Sequence, residues 1–178
     1  KAHHSGFIIN FAAYIQSIVM AFLYNIGIQA YHLAIQLAAP FNEKAALLHK
    51  GRKEVWKKAA GIQRGEGRLV WFHAASLGEF EQGRPVIEAL KAAEPATQIL
   101  LTFFSPSGYE IRKNYTGADY ILYLPGDTRR NAVRLIEKFR PDAAVFIKYE
   151  FWFHYLNELN KRNIPVYLIS AIFRPNQP

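Results

Sequence analysis

From Arg68 onward the chain repeats one unit: a short apolar run, a turn, then an amphipathic stretch. The runs occupy residues 69–73, 98–103, 120–124, 143–147 and 166–169, and they are apolar at consecutive positions instead of alternate ones. A strand covered on both faces needs that pattern, which marks a parallel sheet between two helical layers. The stretches between the runs carry helical spacing, as in Val86, Leu90 and Ala93 or Val133, Ile136 and Phe139. The pattern therefore predicts an α/β fold built on a doubly wound parallel sheet. Right-handed crossovers place every strand-to-helix loop on the carboxyl edge, where sheets of this kind bind ligands. Residues 74–79, 104–108, 125–127, 148–152 and 171–178 are the loops so nominated.

The amino-terminal part reads differently. No Asp, Glu, Lys or Arg occurs between Lys1 and Glu43, and residues 7–39 are mostly Ile, Leu, Phe, Tyr and Ala, a stretch long enough to span a bilayer. Asn25, Gln29, His32 and Gln36 nevertheless recur at spacings of 4, 3 and 4, a polar seam along one side of an otherwise apolar helix. The seam favours a helix lying in a membrane interface, or packed on a partner, over a lone lipid-bathed span; a buried globular helix is the competing reading. Lys44, Lys50, Arg52, Lys53, Lys57, Lys58 and Arg64 follow, interrupted by Glu43 and Glu54. Such a basic collar attracts anionic headgroups and, by the positive-inside rule, puts the rest of the protein in the cytoplasm. A solvated linker helix and a nucleic-acid patch are the other readings of the same charges. Gly61, Gly65 and Gly67 then break the chain. The expected division is residues 1–42 as an apolar membrane anchor, 43–67 as a basic linker and 68–178 as the α/β domain.

Composition narrows the function classes. With 178 residues, 51% of them hydrophobic and a net charge of +8, a disordered tail is excluded. The absence of cysteine excludes disulfides, thiolate zinc sites and a Cys nucleophile, and points to an intracellular or membrane-associated chain. Lys1 at the start and Met20 as the only methionine suggest a processed, truncated or engineered segment; His3 and His4 read as vector residue and stay out of metal arguments. No Walker-type loop, GxGxxG, HExxH or clustered metal ligands appear, so neither a metal nor another cofactor is expected.

The segment His73-Ala74-Ala75-Ser76-Leu77-Gly78-Glu79 puts a carboxylate at the ligand edge. Ser76 and Glu79 have capping-box spacing, and an acid in a first helical turn suits the helix dipole. A carboxylate there is also placed to act as a general base on a substrate hydroxyl. Gln distinguishes the two roles, since it completes a capping box but accepts no proton. After the second run, Ser107 and Glu110 repeat the capping spacing, and Ser105, Ser107 and Gly108 form a helix start suited to capping or to an anion. Asp127 reads as the cap of the next helix. Glu150, in Lys148-Tyr149-Glu150-Phe151-Trp152, is a second acid at the same edge, either desolvated and tuned or paired with Lys148.

Taken in order after an apolar anchor, His73-Ala-Ala-Ser-Leu-Gly-Glu79, Ser105-Pro-Ser-Gly108, Tyr123-Leu-Pro125 with Asp127, and Glu150-Phe-Trp152 resemble the N-terminal half of 3-deoxy-D-manno-octulosonic acid (Kdo) transferases. The resemblance covers roughly residues 20–172, and its motifs lie on the nominated loops. It implies the Rossmann-like N-terminal domain of a two-domain GT-B glycosyltransferase on the cytoplasmic face of a Gram-negative inner membrane. Such an enzyme inverts configuration as it moves Kdo from CMP-Kdo to a lipid A precursor, in lipopolysaccharide biosynthesis, without a metal ion or nucleic-acid partner. It further implies Glu79 as catalytic base and Ser76, Gly78, Ser105, Ser107, Gly108, Glu150 and Trp152 as substrate-binding residues. A C-terminal domain supplying most of the CMP-Kdo site is expected beyond Pro178, so the 178 residues alone are expected to be inactive. The chain departs from the family where many members read Glu-Thr-Glu-x-Trp-Pro-Asn over residues 148–154, and where Asn-Ala-Arg stands at Ser170-Ala171-Ile172. Arg174 is not equated with the missing arginine. Another lipid-linked sugar transferase of the same architecture, or a non-catalytic membrane-tethered module for anionic ligands, is the alternative function.

Overall fold

The computed structural model describes residues 3–171, with side chains from Ile18 onward. Two helices, α1 (His3–Ala38) and α2 (Glu43–Gly61), precede the α/β unit. It runs β1 (Leu69–Ala74), α3 (Leu77–Ala93), β2 (Gln98–Phe103), α4 (Pro106–Arg112), β3 (Tyr120–Tyr123), α5 (Arg129–Phe139), β4 (Ala143–Ile147), α6 (Phe153–Lys161) and β5 (Val166–Ile169). Every strand pairing is parallel, in the order β3-β2-β1-β4-β5. The expected fold class is therefore the observed one. The order reverses between β1 and β4, which makes the carboxyl ends of those two strands the switch point.

Side chains of successive strand residues leave the sheet on opposite faces, and both faces are covered. Leu69, Trp71, Leu100, Leu122, Ala144 and Phe146 pack with Val55 and Ala59 of α2, with Leu135 and Phe139 of α5 and with Tyr155 of α6. Val70, Phe72, Ile99, Leu101, Phe103, Val145 and Ile147 pack with Phe80 and Ile87 of α3 and with Tyr109 of α4. This two-sided burial explains the consecutive apolar runs. Gly83 and Gly108 let α3 and α4 approach the sheet, because a Cβ at either position would run into the side chain of Ile147 or Phe103 respectively.

Three expectations are corrected. Residues 43–61, read as part of a basic linker, form α2, whose Leu48, Gly51, Val55 and Ala59 are buried against the domain. Only the opposite face of α2 is a collar: Lys50, Lys53, Lys57 and Lys58 are exposed, while Arg52 turns partly inward. The Ser107–Glu110 cap does not form. Ser105 occupies the N-cap of α4 without a side-chain cap bond, its Oγ lies 2.8 Å from Ser107 Oγ, and Glu110 instead accepts from Lys113 and Tyr123. Asp127 does not cap the helix that follows it, since Thr128 does that through the Asn131 amide at 3.2 Å. Asp127 is buried and accepts from the amides of His154 (3.1 Å) and Tyr155 (3.2 Å), so it caps α6 from a distant loop.

Helix α1 lies along the carboxyl edge. Tyr24 Oη donates to Asp127 Oδ2 at 2.5 Å, Asn25 Oδ1 stands 2.6 Å from His154 Nε2, and the ring of Tyr31 stacks on Phe104 at 5.9 Å. His32 packs on Gly126, where a Cβ would collide with the imidazole. The polar seam is thus partly spent on the domain, although Gln29 is exposed. The outer face is a different surface, with Ile18, Val19, Met20, Phe22, Leu23, Ile26, Leu33 and Leu37 all exposed. Over Ile18–Ala38 the helix is long and apolar enough to cross a membrane by length and composition.

Candidate active site at the switch point

Strand β1 ends in His73 and Ala74, and the turn that follows delivers Ser76 as the N-cap of α3. The Glu79 amide donates to Ser76 Oγ at 3.4 Å, while Glu79 Oε2 accepts from the Ala75 amide at 2.6 Å. The reciprocal cap therefore forms, with the return bond made one residue earlier than in the standard box. Glu79 Oε1 accepts no hydrogen bond from the described residues, and the side chain is half-buried. One carboxylate oxygen is thus held by the backbone and the other has no partner among the described residues. Gly78 is exposed, and no protein atom lies within 4 Å of where its Cβ would stand, so packing does not call for glycine there.

Across the switch point, Glu150 follows β4 through Lys148, a non-glycine residue at φ 64 and hence in the left-handed region. Such strain is held where surrounding structure over-determines the backbone. Glu150 does not pair with Lys148. Its Oε2 accepts from Trp152 Nε1 at 2.8 Å and lies 3.5 Å from His73 Nε2, with only 16% of the side chain exposed. The same indole N–H lies 3.1 Å from His73 Nε2. His73 is fully buried, and its Nδ1 is 3.1 Å from Thr102 O and 2.9 Å from Thr102 Oγ1. Register explains the contact, because His73 stands beside Thr102 in β2 and beside Phe146 in β4. Thr102 O is an acceptor for a hydrogen on Nδ1, and the Trp152 indole N–H is directed at Nε2.

Phe104 completes the cluster. Its ring stacks on Trp152 at 4.7 Å, and the Arg52 guanidinium lies over it at 4.5 Å. The structure thus brings Glu150 and Trp152 together, and sets Ser76 at the N-cap and Gly78 and Glu79 in the first turn of α3, after the neighbouring strand. Ser105, the N-cap of α4, is half-buried and Ser107, in its first turn, is exposed, whereas Gly108 is buried in the packing of α4 on Phe103. Sequence reading did not single out His73, Thr102 or Phe104 as site residues. A histidine closing an otherwise apolar strand was the available signal; the Phe104 stack depends on tertiary placement. Ile172 and Arg174 lie outside the described residues. Among the described residues no group of three or more His, Cys, Asp or Glu side chains is placed to hold a metal ion.

Comparison with known proteins points one way. Residues 42–178 match the family model described as 3-deoxy-D-manno-octulosonic-acid transferase (kdotransferase). A 3-deoxy-D-manno-octulosonic acid transferase of Chlamydia trachomatis is 28% identical over 144 residues, covering 78% of this chain and 33% of the relative. The enzyme of that name from Aquifex aeolicus is 36% identical over 84 residues, covering 47% and 23%. That from Haemophilus influenzae is 29% identical over 103 residues, covering 57% and 24%. The chain thus spans about a third or less of the length of these relatives. Among solved structures, a UDP-N-acetylglucosamine 2-epimerase aligns at 16% identity with a TM-score of 0.46, over 63% of this chain and 35% of that one.

Proposed function

The chain belongs to the 3-deoxy-D-manno-octulosonic-acid transferase family, and from that premise we propose that it is the acceptor-binding, base-supplying half of a GT-B Kdo transferase acting in lipopolysaccharide biosynthesis. The observation that carries the reading is the divided Glu79 carboxylate, with Oε2 fixed by the Ala75 amide and Oε1 unengaged at the switch-point edge. A base held by one oxygen is oriented before substrate arrives, and orientation is a large part of its catalytic value. Glu79 Oε1 takes the proton of an acceptor sugar hydroxyl as that oxygen forms a bond to the anomeric carbon of Kdo. On the opposite face the bond from that carbon to the CMP phosphate oxygen breaks, and CMP leaves with the electron pair. Inversion follows from this geometry.

Glu150, Trp152 and His73 form the wall beside the base, the network fixing both the indole and the carboxylate for acceptor contacts. Ser76, Ser105 and Ser107 supply hydroxyls at the same edge, and Gly78 leaves open space in which substrate can approach the backbone. Gly108 acts on the acceptor only indirectly, by seating α4. The exposed apolar face of α1 lies on the cytoplasmic leaflet of the inner membrane. With its other face on the domain, the helix lies in the interface and holds the sheet edge near lipid-borne acceptor.

The test is transfer itself. The full-length protein in detergent, given CMP-Kdo and a lipid A precursor, is expected to add Kdo mass to the lipid. Transfer from another sugar nucleotide but not from CMP-Kdo would favour the alternative lipid-linked transferase, and binding without transfer from any donor would favour the non-catalytic module.

A further inference from the structure

Among the described residues Arg52 has two buried donor nitrogens without a partner. Its Nε and Nη1 are closed to solvent and find no hydrogen-bond acceptor, and no carboxylate lies within 4 Å of it among the described residues. A buried cation is normally paired, because desolvation costs several kcal/mol and an unpaired donor adds about 1–3 kcal/mol. The rings of Phe104 and Tyr31, at 4.5 and 5.6 Å, compensate only in part. Burial accordingly lowers the Arg52 pKa, with the Tyr31 hydroxyl pulling the other way.

The surroundings accumulate positive charge. Arg52 lines a recess of about 250 Å³ between α1, α2 and the turn after β3, together with His32 and Gln36 from α1, His49 and Lys53 from α2, and Asn131 from α5. Among the described residues no Asp or Glu lines it. Its volume matches roughly eight waters at about 30 Å³ each, room for an oxyanion with its ester substituent.

We infer that this recess is a phosphate-binding site in which Arg52 is the fork and Lys53 the second charge. A phosphate monoester dianion balances the two permanent cations, where a carboxylate balances only one, and its several oxygens match the planar guanidinium and the Asn131 and histidine donors. The guanidinium meets the anion by turning about its terminal torsions into the recess, which satisfies the donors left without partners. Phe104 lies between Arg52 and Trp152, so the anion sits one aromatic ring from the switch-point cluster. The inference rests on charge and packing, not on Glu79 or on the transferase reading.

The test uses the 178-residue chain in uncharged detergent, titrated with inorganic phosphate and, at matched ionic strength, with chloride or acetate. Phosphate at about ten times its Kd is expected to raise Tm by about 3–5 °C, and chloride or acetate far less. Arg52→Gln is expected to weaken phosphate binding about tenfold or more, Arg52→Lys less, and Lys53→Gln, on an exposed position, about threefold. Lys53→Gln keeps the test decisive if Arg52→Gln fails to fold. Flotation with phosphatidylcholine vesicles carrying phosphatidic acid, or equal charge as phosphatidylglycerol, separates the sources. A phosphatidic acid preference lost in Arg52→Gln assigns a lipid-borne monoester; a phosphate shift without that preference assigns a soluble one. Phosphate no better than chloride or acetate, or wild-type titrations in Arg52→Gln and Lys53→Gln, would overturn the site. A chain that binds phosphate here while its full-length form transfers no Kdo keeps the site and loses only the transferase reading.

Discussion

Asp127 joins three elements, and removing its carboxylate tests whether that junction holds the edge of the sheet together. In Asp127→Ala the amides of His154 and Tyr155 lose their acceptor at the buried start of α6, and Tyr24 Oη loses its partner on α1. A hydrogen bond to a charged group contributes about 1.5–3 kcal/mol, and loss of an N-cap about 1–2 kcal/mol. The two amides share one carboxylate and Tyr24 is half-exposed, so the terms overlap instead of adding. A net loss of about 3–4 kcal/mol is expected, or a Tm lower by about 6–15 °C for a chain of this size. Thr128→Ala, which removes the local cap of α5, is the internal standard at about 1 kcal/mol. Tyr24→Phe costs about 1 kcal/mol and loosens α1 without unfolding α6. Urea denaturation in detergent, followed by tryptophan fluorescence and near-UV circular dichroism, reads all three variants. An Asp127→Ala loss no greater than that of Thr128→Ala would refute the long-range cap and return Asp127 to its own helix.

Gly108→Ala is expected to lower stability by about 1–3 kcal/mol, because the new methyl meets the fully buried Phe103 ring; full-length enzyme at permissive temperature should keep its KM for the lipid acceptor. Burial holds the His154 pKa below its ordinary value of about 6.5, against the pull of Asp127. The unfolded chain therefore takes up the proton first as pH falls. This contribution to stability is complete above about pH 6.5 and is lost as pH drops toward the folded pKa, a slope that denaturation at stepped pH should find reduced in His154→Gln. Leu23→Glu with Leu33→Glu on the outer face of α1 is expected to abolish vesicle flotation while leaving the domain folded, whereas high salt alone should not release the unaltered chain.

The five strands were legible to within a residue because two-sided burial writes itself as consecutive apolar positions, and 69–74, 98–103 and 143–147 are buried throughout. Helix α2 was misread because its buried face is narrow, Leu48, Val55 and Ala59 with Gly51 between them, while its lysines dominate the pattern. The motif at residues 73–79 placed Glu79 at the carboxyl end of β1, where the structure has it, but spacing could not divide the carboxylate into a bound and an unengaged oxygen. Asp127 was read as the cap of its own helix and instead serves α6, while Glu150, left open between a desolvated acid and a Lys148 pair, meets Trp152 two residues on and His73 across the sheet. Local spacing suggests which groups can bond, and the crossover topology decides which of them meet. Arg52 was hidden for the same reason, one cation in a run of them until the fold turns it inward.

In the proposed mechanism Glu79 Oε1 takes the acceptor proton while Oε2 serves the helix. Single-turnover transfer of Kdo by the full-length protein, comparing Glu79 with Glu79→Gln, tests it most directly, because glutamine still accepts from the Ala75 amide. The expected rate for Glu79→Gln is lower by about 10²–10⁴-fold, with unfolding midpoint and lipid binding unchanged. A variant that transfers Kdo within a fewfold of the wild-type rate would contradict it.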